Sequence, residues 1–514
     1  MTSADEPLDA QPGDHRAGAG ESGARESLTG RLDDDRAQMS ALALAQALRE
    51  GDIDVREHTD AVLAAARGDG ARVGAFAHIL EELSHRQAEA AQESIREARR
   101  RHDLDSLAVG QPLLGVPLPV KDLSRIAGEP WSAGSAAVHG TIAEVTDGVA
   151  EKILAGGTVT IGKTSVPEFG MPCYTEPAIG APARTPWDLE RTAGGSSGGA
   201  AAAVAAGIVP LAHGSDGGGS VRIPAACCGI VGMKPSRGVV SAGPHGAEGP
   251  GLVTDGMLAR TVADVAAGMD LIAGSRPGDA FPAASPEGGF LRSLERAPGP
   301  LRIGVLREPL NIEAEVHPAC LRGLDRALDV LRAHGHELSD VRPAFTPQQW
   351  QAFIPLWTVG AASIDLPDEA EPLLLELTRW LRAEGRRHDG VAVTRALAGM
   401  QQVARRMGEA YADFDLIITP SLAQPPAHPH TLQLPDGADD FAAQCRFTPW
   451  TSTWNMTGRA AISVPLHREE IDGQMLPFGA HLGAVRAGDD ALVLQVAAQL
   501  EAADPWPLVR RPQP

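Results

Sequence analysis

Cysteine is scarce in this sequence and irregularly spaced. The five cysteines form an odd number, and no two of them have CxxC spacing. Disulfide-stabilised secreted domains use even sets of cysteines, and structural zinc sites use closely paired ones. The sequence therefore predicts neither kind of site, and we expect reduced, buried thiols at Cys173, Cys227, Cys228, Cys320 and Cys445.

Positive charge is also in short supply. The chain has 45 Lys and Arg against 66 Asp and Glu, which gives a formal net charge of −21. A field of this sign repels nucleic-acid phosphates and anionic lipid headgroups. We therefore expect neither nucleic acid nor a membrane surface as a partner.

Long hydrophobic runs are missing as well. The first twenty residues, MTSADEPLDAQPGDHRAGAG, have no apolar segment of the kind found in secretory signals, so a cytoplasmic location is expected. The longest uncharged run, GGAAAAVAAGIVPLA from Gly198, is too short and too rich in Gly and Ala to predict a membrane span. Residues 1–36 have few apolar positions, which predicts a disordered tail.

After this tail the sequence has the pattern of an α/β protein. Short β-branched segments alternate with Ala-rich helical stretches and Gly-rich turns, and strands are predicted at LRIGVL and FDLIITP.

Residue types typical of helix ends predict two of the helices. The segment ALALAQALRE follows Ser40, which is a good N-cap, and ends at Gly51. The segment CLRGLDRALDVLRA has helical periodicity and ends near Gly335.

Two short motifs point to other enzyme classes. Gly157–Thr164 reads GTVTIGKT, a formal match to a phosphate-binding loop, but Val159, Thr160 and Ile161 in its middle favour a strand. Gly194–Gly198 fits G-x-S-x-G, which would make Ser196 the nucleophile of an α/β-hydrolase esterase. That alternative needs an acidic residue and a histidine downstream, and none stands in a recognisable turn.

A larger constellation of motifs is more specific. It combines GVPLPVKD, which ends in Lys121 and Asp122, with GGSSGG at Gly194–Gly199 and with GSDGGGSVRIPAACCGIVGMKPSRG at Gly214–Gly238. Together these segments resemble the amidase signature family of serine amidohydrolases. Four further segments are similar to that family: GKTSVPEFG, GMLARTVAD, FDLIITP and FTPWTSTWNMTGRAAISVP.

The resemblance implies a fold and a reaction. The fold would be an α/β/α sandwich with a central mixed sheet, in one large domain over 37–514. Its core would cover about 100–275 and 300–345, a variable substrate region about 346–440, and the return to the core 441–514. The reaction would be hydrolysis of C–N bonds other than peptide bonds, through an acyl-enzyme and without metal or cofactor. Ser220 would attack the carbonyl, Ser196 would relay its proton, and Lys121 would be the base. The family also has a cis peptide bond before the relay serine, here between Gly195 and Ser196.

The chemistry places a demand on the lysine. An unperturbed lysine has a pKa of about 10.4 and is charged at neutral pH, so it cannot accept a proton. Burial lowers the pKa by disfavouring the ammonium form. The apolar segment before Lys121 suits such a site.

The glycine run before Ser220 predicts an oxyanion hole. Backbone N–H groups of Gly217, Gly218 and Gly219 can converge without interference from side chains. Asp216 and Arg222 flank the run and are expected to brace it by ion pairing, and Ser197 is expected to support Ser196. With glycine at position 217, the sequence resembles one subgroup of the family. That subgroup comprises cyclic nylon-oligomer hydrolases, such as 6-aminohexanoate cyclic dimer hydrolase, and aryl amidases.

Substrate choice is predicted from aromatic residues in the variable region and near the C-terminus. The tentative pocket residues are Phe447, Trp450 and Trp454, and the other candidates are Trp350, Phe353 and Trp357. Aromatic side chains of this kind are more often part of a core. If several of them line the pocket, its composition predicts an apolar, aryl, or linear or cyclic aliphatic amide as the small-molecule partner. The sequence leaves the oligomeric state open, with a homodimer as the candidate assembly.

A second functional alternative is the amidase subunit of a tRNA-dependent amidotransferase. Such a subunit works only within an assembly. The sequence has neither a Tyr-rich docking segment nor a recognisable glutamine-binding pattern, and Tyr174 and Tyr411 are its only tyrosines. An independent hydrolase is therefore the favoured interpretation.

Overall fold

A computed structural model describes residues 32–512 of the chain. Its helices are α1 (Asp34–Gln38), α2 (Ala41–Glu50), α3 (Val55–Arg67), α4 (Asp69–Arg72), α5 (Glu81–Arg101), α6 (Leu104–Gly110), α7 (Gly148–Ala155), α8 (Gly198–Ala205), α9 (Arg222–Cys228), α10 (Val262–Ile272), α11 (Phe290–Ser293), α12 (Pro318–Ala333), α13 (Pro347–Trp350), α14 (Phe353–Ala362), α15 (Glu376–Gly385), α16 (Gly390–Ala410), α17 (Gly437–Phe447), α18 (Ser452–Thr457) and α19 (Asp490–Ala503). Its strands are β1 (Phe76–Ile79), β2 (Val120–Lys121), β3 (Pro130–Trp131), β4 (Thr141–Ile142), β5 (Gly162–Thr164), β6 (Arg184–Thr185), β7 (Asp188–Thr192), β8 (Leu211–Asp216), β9 (Val231–Lys234), β10 (Thr254–Ala259), β11 (Arg302–Val305), β12 (Glu337–Asp340), β13 (Leu416–Pro420), β14 (Ala461–Ile471) and β15 (Gln474–Ala484).

An eight-stranded mixed sheet forms the centre of the fold. Its strand order is β12-β11-β13-β15-β14-β9-β10-β8. Strand β11 pairs in parallel with both β12 and β13, whereas the other neighbours in the sheet are antiparallel. Strand β8 lies at one edge of this sheet, and it ends at Asp216, where the glycine run begins.

Two groups of helices pack against this sheet. Helix α19 contacts both α10 and α12, and all three contact strands of the sheet. Helices α8 and α9 contact each other and form the second group. All eight residues of α8 are buried, as expected for an Ala-rich helix inside the protein. The predicted α/β/α sandwich with a mixed sheet is confirmed.

A small second sheet brings Lys121 to the edge of the main one. Its order is β1-β5-β2, with Lys121 at the end of β2. The N–H of His213 on β8 donates to the Pro119 carbonyl at 3.2 Å, and the Lys121 N–H donates to His213 Nδ1 at 3.3 Å. These contacts hold the lysine beside the strand that leads into the glycine run.

Several local predictions are confirmed. Ser40 caps α2 by accepting the Ala43 N–H, and Gly51 ends that helix with φ 78°. The segments LRIGVL and FDLIITP form β11 and β13, and CLRGLDRALDVLRA lies in α12, just before Gly335 (φ 82°).

The predicted tail over 1–36 lies largely outside the described residues. Its last five residues, 32–36, are described: Leu32 is buried, and α1 begins at Asp34. The predicted end of the tail therefore falls inside a helix that packs on the protein. Of the five cysteines, all are free; four are buried, and Cys445 is half-buried. No helix between residues 32 and 512 combines the length and apolar character that a membrane span requires.

Candidate active site

Two glycine-containing turns meet at the edge of the main sheet. The first carries Ser196 and Ser197 directly before α8, and its Gly195–Ser196 peptide bond is cis, as the family resemblance implies. The second joins β8 to α9 and carries Ser220. The Ser197 N–H donates to the Ser220 carbonyl at 3.0 Å and ties the turns together.

Lys121 lies fully buried beside the first turn. Its Nζ donates to Ser196 Oγ at 2.9 Å, and also to Oγ and the carbonyl oxygen of Ser215, each at 3.0 Å. Its relative exposure is 0%. Burial lowers the pKa of Lys121 to about 7, although the carboxylates of Asp216 and Asp255 act in the opposite direction. A substantial fraction of this amine is therefore neutral at physiological pH, as a base requires.

Ser215 is a site residue that the sequence analysis missed. It precedes Asp216 at the end of β8, and it contacts the amine of Lys121 through two oxygens. The Ser197 hydroxyl also donates to the Ser215 carbonyl, at 3.4 Å. The sequence gives little indication of this role. Ser215 contacts Lys121 only because β8 lies beside β2, and the sequence does not show that the two strands are neighbours.

Asp216 and Arg222 form the predicted brace of the second turn. Both side chains are completely buried, and the guanidinium donates two hydrogen bonds to the carboxylate, at 2.8 and 3.0 Å. The same carboxylate accepts the N–H groups of Gly219 at 2.8 Å and Val221 at 3.1 Å. Burial alone would raise the pKa of Asp216, but the Arg222 charge and the hydrogen bonds lower it well below its usual range.

Asn455 extends this network and was also missed. Its amide donates to the Asp216 carbonyl at 2.8 Å, to the Asp216 carboxylate at 2.9 Å and to the Leu252 carbonyl at 3.0 Å. Its Oδ1 accepts from Arg222 at 2.8 Å. Residues from α18 and β8 therefore fix the backbone next to Ser220. The segment WNMTG belongs to the resemblance, but nothing local in it marks the asparagine.

The structure corrects the predicted oxyanion hole at one position. Gly219 cannot offer a free N–H, because Asp216 accepts it inside the turn. Glycine is needed there for another reason: φ is 133°, and a Cβ would lie 2.4 Å from Thr451 Oγ1. Gly217 and Gly218, in contrast, line cavities that Ser220 also lines.

The esterase alternative gave Ser196 a histidine partner, and the structure gives it a lysine. His213 is the histidine that packs on Lys121, and both of its ring nitrogens are engaged. Nδ1 accepts the Lys121 N–H, and Nε2 lies 3.0 Å from Asp255. The hydroxyl of Ser196 accepts instead from Lys121.

The formal phosphate-binding loop has a structural role. Residues Gly162–Thr164 form β5 and not a loop before a helix. Lys163 is fully buried, and its Nζ donates to Asp122 Oδ1 at 2.9 Å. Asp122 directly follows Lys121 in the sequence. This pair joins β5 to the end of β2, where Lys121 lies, so the phosphate-binding interpretation is wrong.

Two cavities open onto Ser220. The first has a volume of about 460 Å³ including its open mouth, and its aromatic wall consists of Trp350, Phe353, Trp357 and Phe441. Successive rings of the first three stack, with centroids 5.4 and 5.2 Å apart.

The second cavity encloses about 730 Å³ including its open mouth. Ser196 and Ser215 line it together with Ser220. Trp357 and Met171, like Ser220, line both cavities, so the two spaces are adjacent.

The tentative pocket residues lie elsewhere. Trp450 and Trp454 are fully buried in a core cluster, and their indole N–H groups donate to the Glu308 and Ala484 carbonyls. Phe447 is buried in another cluster. These three side chains line neither cavity beside Ser220. The prediction failed because large aromatic side chains are as useful in a core as in a pocket.

Gly217 allows Trp357 to approach the second turn closely. A Cβ at this position would lie 3.1 Å from Trp357 Cζ3 and 3.0 Å from Val253 Cγ2. We expect Gly217→Ala to lower the free energy of unfolding by about 1–3 kcal/mol, because overpacking a tight contact costs about that much. Gly390→Ala is the control, since a Cβ there meets nothing within 4 Å. An unchanged free energy of unfolding in the Gly217 variant, measured by denaturant titration, would contradict the close contact.

Within residues 32–512 no group of three or more His, Cys, Asp or Glu side chains is arranged to hold a metal ion. The site instead consists of hydroxyls, one buried amine and backbone groups from two turns.

Comparison with known proteins gives the family. The family model described as Amidase matches residues 57–494. AmiB2 of Mycobacterium tuberculosis is 35% identical over 422 residues, which cover 82% of this chain and 86% of the relative. The 6-aminohexanoate-cyclic-dimer hydrolase of Paenarthrobacter ureafaciens is 32% identical over 496 residues, which cover 92% of this chain and 96% of the relative.

Solved structures agree. A 6-aminohexanoate cyclic dimer hydrolase complexed with substrate has a TM-score of 0.84 and 30% identity, with 93% of this chain and 99% of that one covered. A bacterial aryl acylamidase of the amidase signature family has a TM-score of 0.79 and 25% identity, with 91% and 97% covered. By family model, sequence and fold, the chain belongs to the amidase signature family of amide hydrolases.

Proposed function

We propose that the chain hydrolyses its amide substrate through an acyl-enzyme on Ser220, with Ser196 as proton relay and Lys121 as base. In the first half-reaction Ser220 Oγ bonds to the carbonyl carbon, and its proton passes through Ser196 to Lys121. The same path returns a proton to the nitrogen as the C–N bond breaks. Water then attacks the ester, its proton follows the same relay, and the acid leaves with Ser220 regenerated.

One observation carries this proposal. The amine of Lys121 has no exposure to solvent and lies 2.9 Å from the Ser196 hydroxyl, with its pKa lowered to about 7 by burial. A neutral amine at hydrogen-bond distance can turn its lone pair towards the Ser196 hydroxyl and accept a proton without movement of the heavy atoms. An exposed lysine would be charged and could not do so.

Gly217 and Gly218 are our candidates for the oxyanion hole. Their backbone lines the cavities on either side of Ser220, where a tetrahedral oxyanion would form. Asp216, Arg222 and Asn455 hold this backbone through buried hydrogen bonds. Preorganised donors of this kind stabilise charge that develops in the transition state, without a reorganisation cost.

The two cavities suggest how the substrate divides. Ser196 returns the proton to the departing nitrogen, and it lines the second cavity but not the first. The amine part of the amide therefore occupies the second cavity, and the acyl part occupies the first. Stacked Trp350, Phe353 and Trp357 favour an apolar or aryl acyl group.

The lowered lysine pKa predicts the pH dependence of the reaction. Below pH 7 the amine becomes protonated and can no longer accept a proton from Ser196. We expect kcat/KM to rise with pH through about 7 and to level off above it. A pH profile of kcat/KM for a neutral amide measures this, and a maximum near about pH 5 would contradict the assigned base.

A hydrolysis screen tests the activity itself. The purified chain is incubated with aryl, linear aliphatic and cyclic aliphatic amides, and the released amine is measured. The cyclic class is included because a relative is named for a cyclic dimer. We expect hydrolysis without any added protein, and intact-mass spectrometry should detect an acyl adduct on Ser220. Activity that required a partner subunit would contradict an independent hydrolase.

A further inference from the structure

The second cavity contains one charged side chain. Among the residues that line it between 32 and 512, Glu248 is the only one with an acidic or basic side chain; the others are apolar residues, glycines and serines. Its position is half-buried, in the segment before β10. A carboxylate at an otherwise uncharged wall needs an explanation. Partial burial of an unpaired charge costs free energy, and Glu248 has no part in the proposed reaction.

Glu248 has no cationic partner in the part of the chain that the structure describes. Its Oε2 accepts the Ala280 N–H at 3.3 Å, and no Lys or Arg between residues 32 and 512 forms an ion pair with it. The buried carboxylates of the site differ in this respect: Asp216 pairs with Arg222, and Asp122 pairs with Lys163. One backbone N–H is thus the hydrogen-bond donor to the Glu248 side chain, and no neighbouring cation of the described chain compensates its charge at the cavity.

The occupant of this cavity follows from the direction of proton return. Ser196 lines the second cavity, so the departing nitrogen and the amine part attached to it lie on the side of Glu248. We propose that Glu248 is a specificity-determining residue that binds a cationic group on the amine part of the substrate. This rests on the proposed function, and it defines the substrate class as amides of diamines, cleaved to an acid and a free diamine.

Matched substrates test this inference. The phenylacetyl amides of butanediamine, pentanediamine and hexanediamine carry a distal ammonium at increasing reach. The phenylacetyl amide of pentylamine matches the butanediamine amide in size, with a methyl group in place of the ammonium. The phenylacetyl amide of γ-aminobutyrate carries a carboxylate instead. We expect the wild-type protein to hydrolyse the best diamine amide with a kcat/KM about tenfold above that of the pentylamine amide, as for a charge-assisted hydrogen bond in a half-buried site.

Substitutions separate charge from shape. We expect Glu248→Gln to raise KM for the diamine amide about tenfold, with kcat and the pentylamine amide nearly unaffected, because the neutral side chain keeps its size. Glu248→Lys should reverse the preference towards the γ-aminobutyrate amide. Glu129→Gln is the control, because Glu129 is also half-buried but lines neither cavity.

The outcomes are distinguishable. Equal kcat/KM for diamine and pentylamine amides in the wild type, or equal losses on both in Glu248→Gln, would overturn the cation site and leave the amidase mechanism intact. If no member of the series and no amide of the wider screen is hydrolysed, the proposed function fails and this inference fails with it.

Discussion

Lys121→Met is expected to abolish amide hydrolysis while the protein stays folded. Methionine keeps most of the volume of the buried side chain but cannot accept a proton. We expect kcat/KM to fall about 10⁴-fold or more, as when one member of a catalytic triad is removed. Steady-state kinetics on a neutral aryl amide measures the loss.

The same substitution has a limited effect on stability. It leaves the Ser196 hydroxyl and the Ser215 carbonyl without the donor that Lys121 supplies. Unpaired buried groups of this kind cost about 1–3 kcal/mol, which a modest decrease in Tm would report. Lys152→Met is the matched control, because that half-buried lysine donates to Ile272, Ala273 and Gly274 carbonyls away from the cavities. Near wild-type turnover in Lys121→Met would refute the base.

Ser220→Ala is expected to remove activity at least as completely. Without Oγ no acyl-enzyme can form, and the loss of a nucleophile lowers kcat by about 10⁴-fold or more. Asp216, Arg222 and Asn455 hold the turn through groups that this substitution does not touch. We therefore expect an unchanged Tm and no acyl adduct by intact-mass spectrometry.

Ser241→Ala is the control for that variant. Ser241 is also buried, and it donates to Asp279 at 2.8 Å outside both cavities. Its loss should cost some stability and leave kcat unchanged. An acyl adduct that persisted in Ser220→Ala would assign the nucleophile to another hydroxyl, with Ser196 as the first candidate.

Motifs that are continuous in sequence predicted the centre of the site. Lys121, Ser196 and Ser220 lie in three short segments whose residue types the chemistry itself demands, so their meeting could be anticipated. The brace of Asp216 and Arg222 was predictable for a similar reason, because both ends of that ion pair lie within one turn.

Long-range packing decided what the sequence could not predict. Asn455 contacts Asp216 only because α18 lies against the second turn, 239 residues away along the chain. Trp357 faces the cavity and Trp450 does not, although both are tryptophans near apolar helices. The glycine run predicted that the Gly219 N–H would point into the oxyanion hole. In the structure this N–H donates to the Asp216 carboxylate, a bond that the glycine pattern alone does not predict.

The small number of lysines was a further indication of the base in the sequence. The chain has only four, Lys121, Lys152, Lys163 and Lys234, among its 45 Lys and Arg. Arginine supplies nearly all of the positive charge, and three of these lysines are fully buried. An amine, unlike a guanidinium, can lose its proton on burial, so each buried lysine was a candidate base before any motif was considered.

With four lysines, the protonation of the base can be measured directly. In protein labelled with ¹³C and ¹⁵N at lysine, the Nζ and Cε signals of Lys121 are assigned by their absence from Lys121→Met and titrated by NMR. Lys234 also has its pKa lowered to about 7, chiefly by burial, so this assignment is essential. We predict that Lys121 titrates near pH 7, together with the acidic limb of kcat/KM. Titration near the ordinary lysine value of about 10.4 would contradict a neutral base in this site.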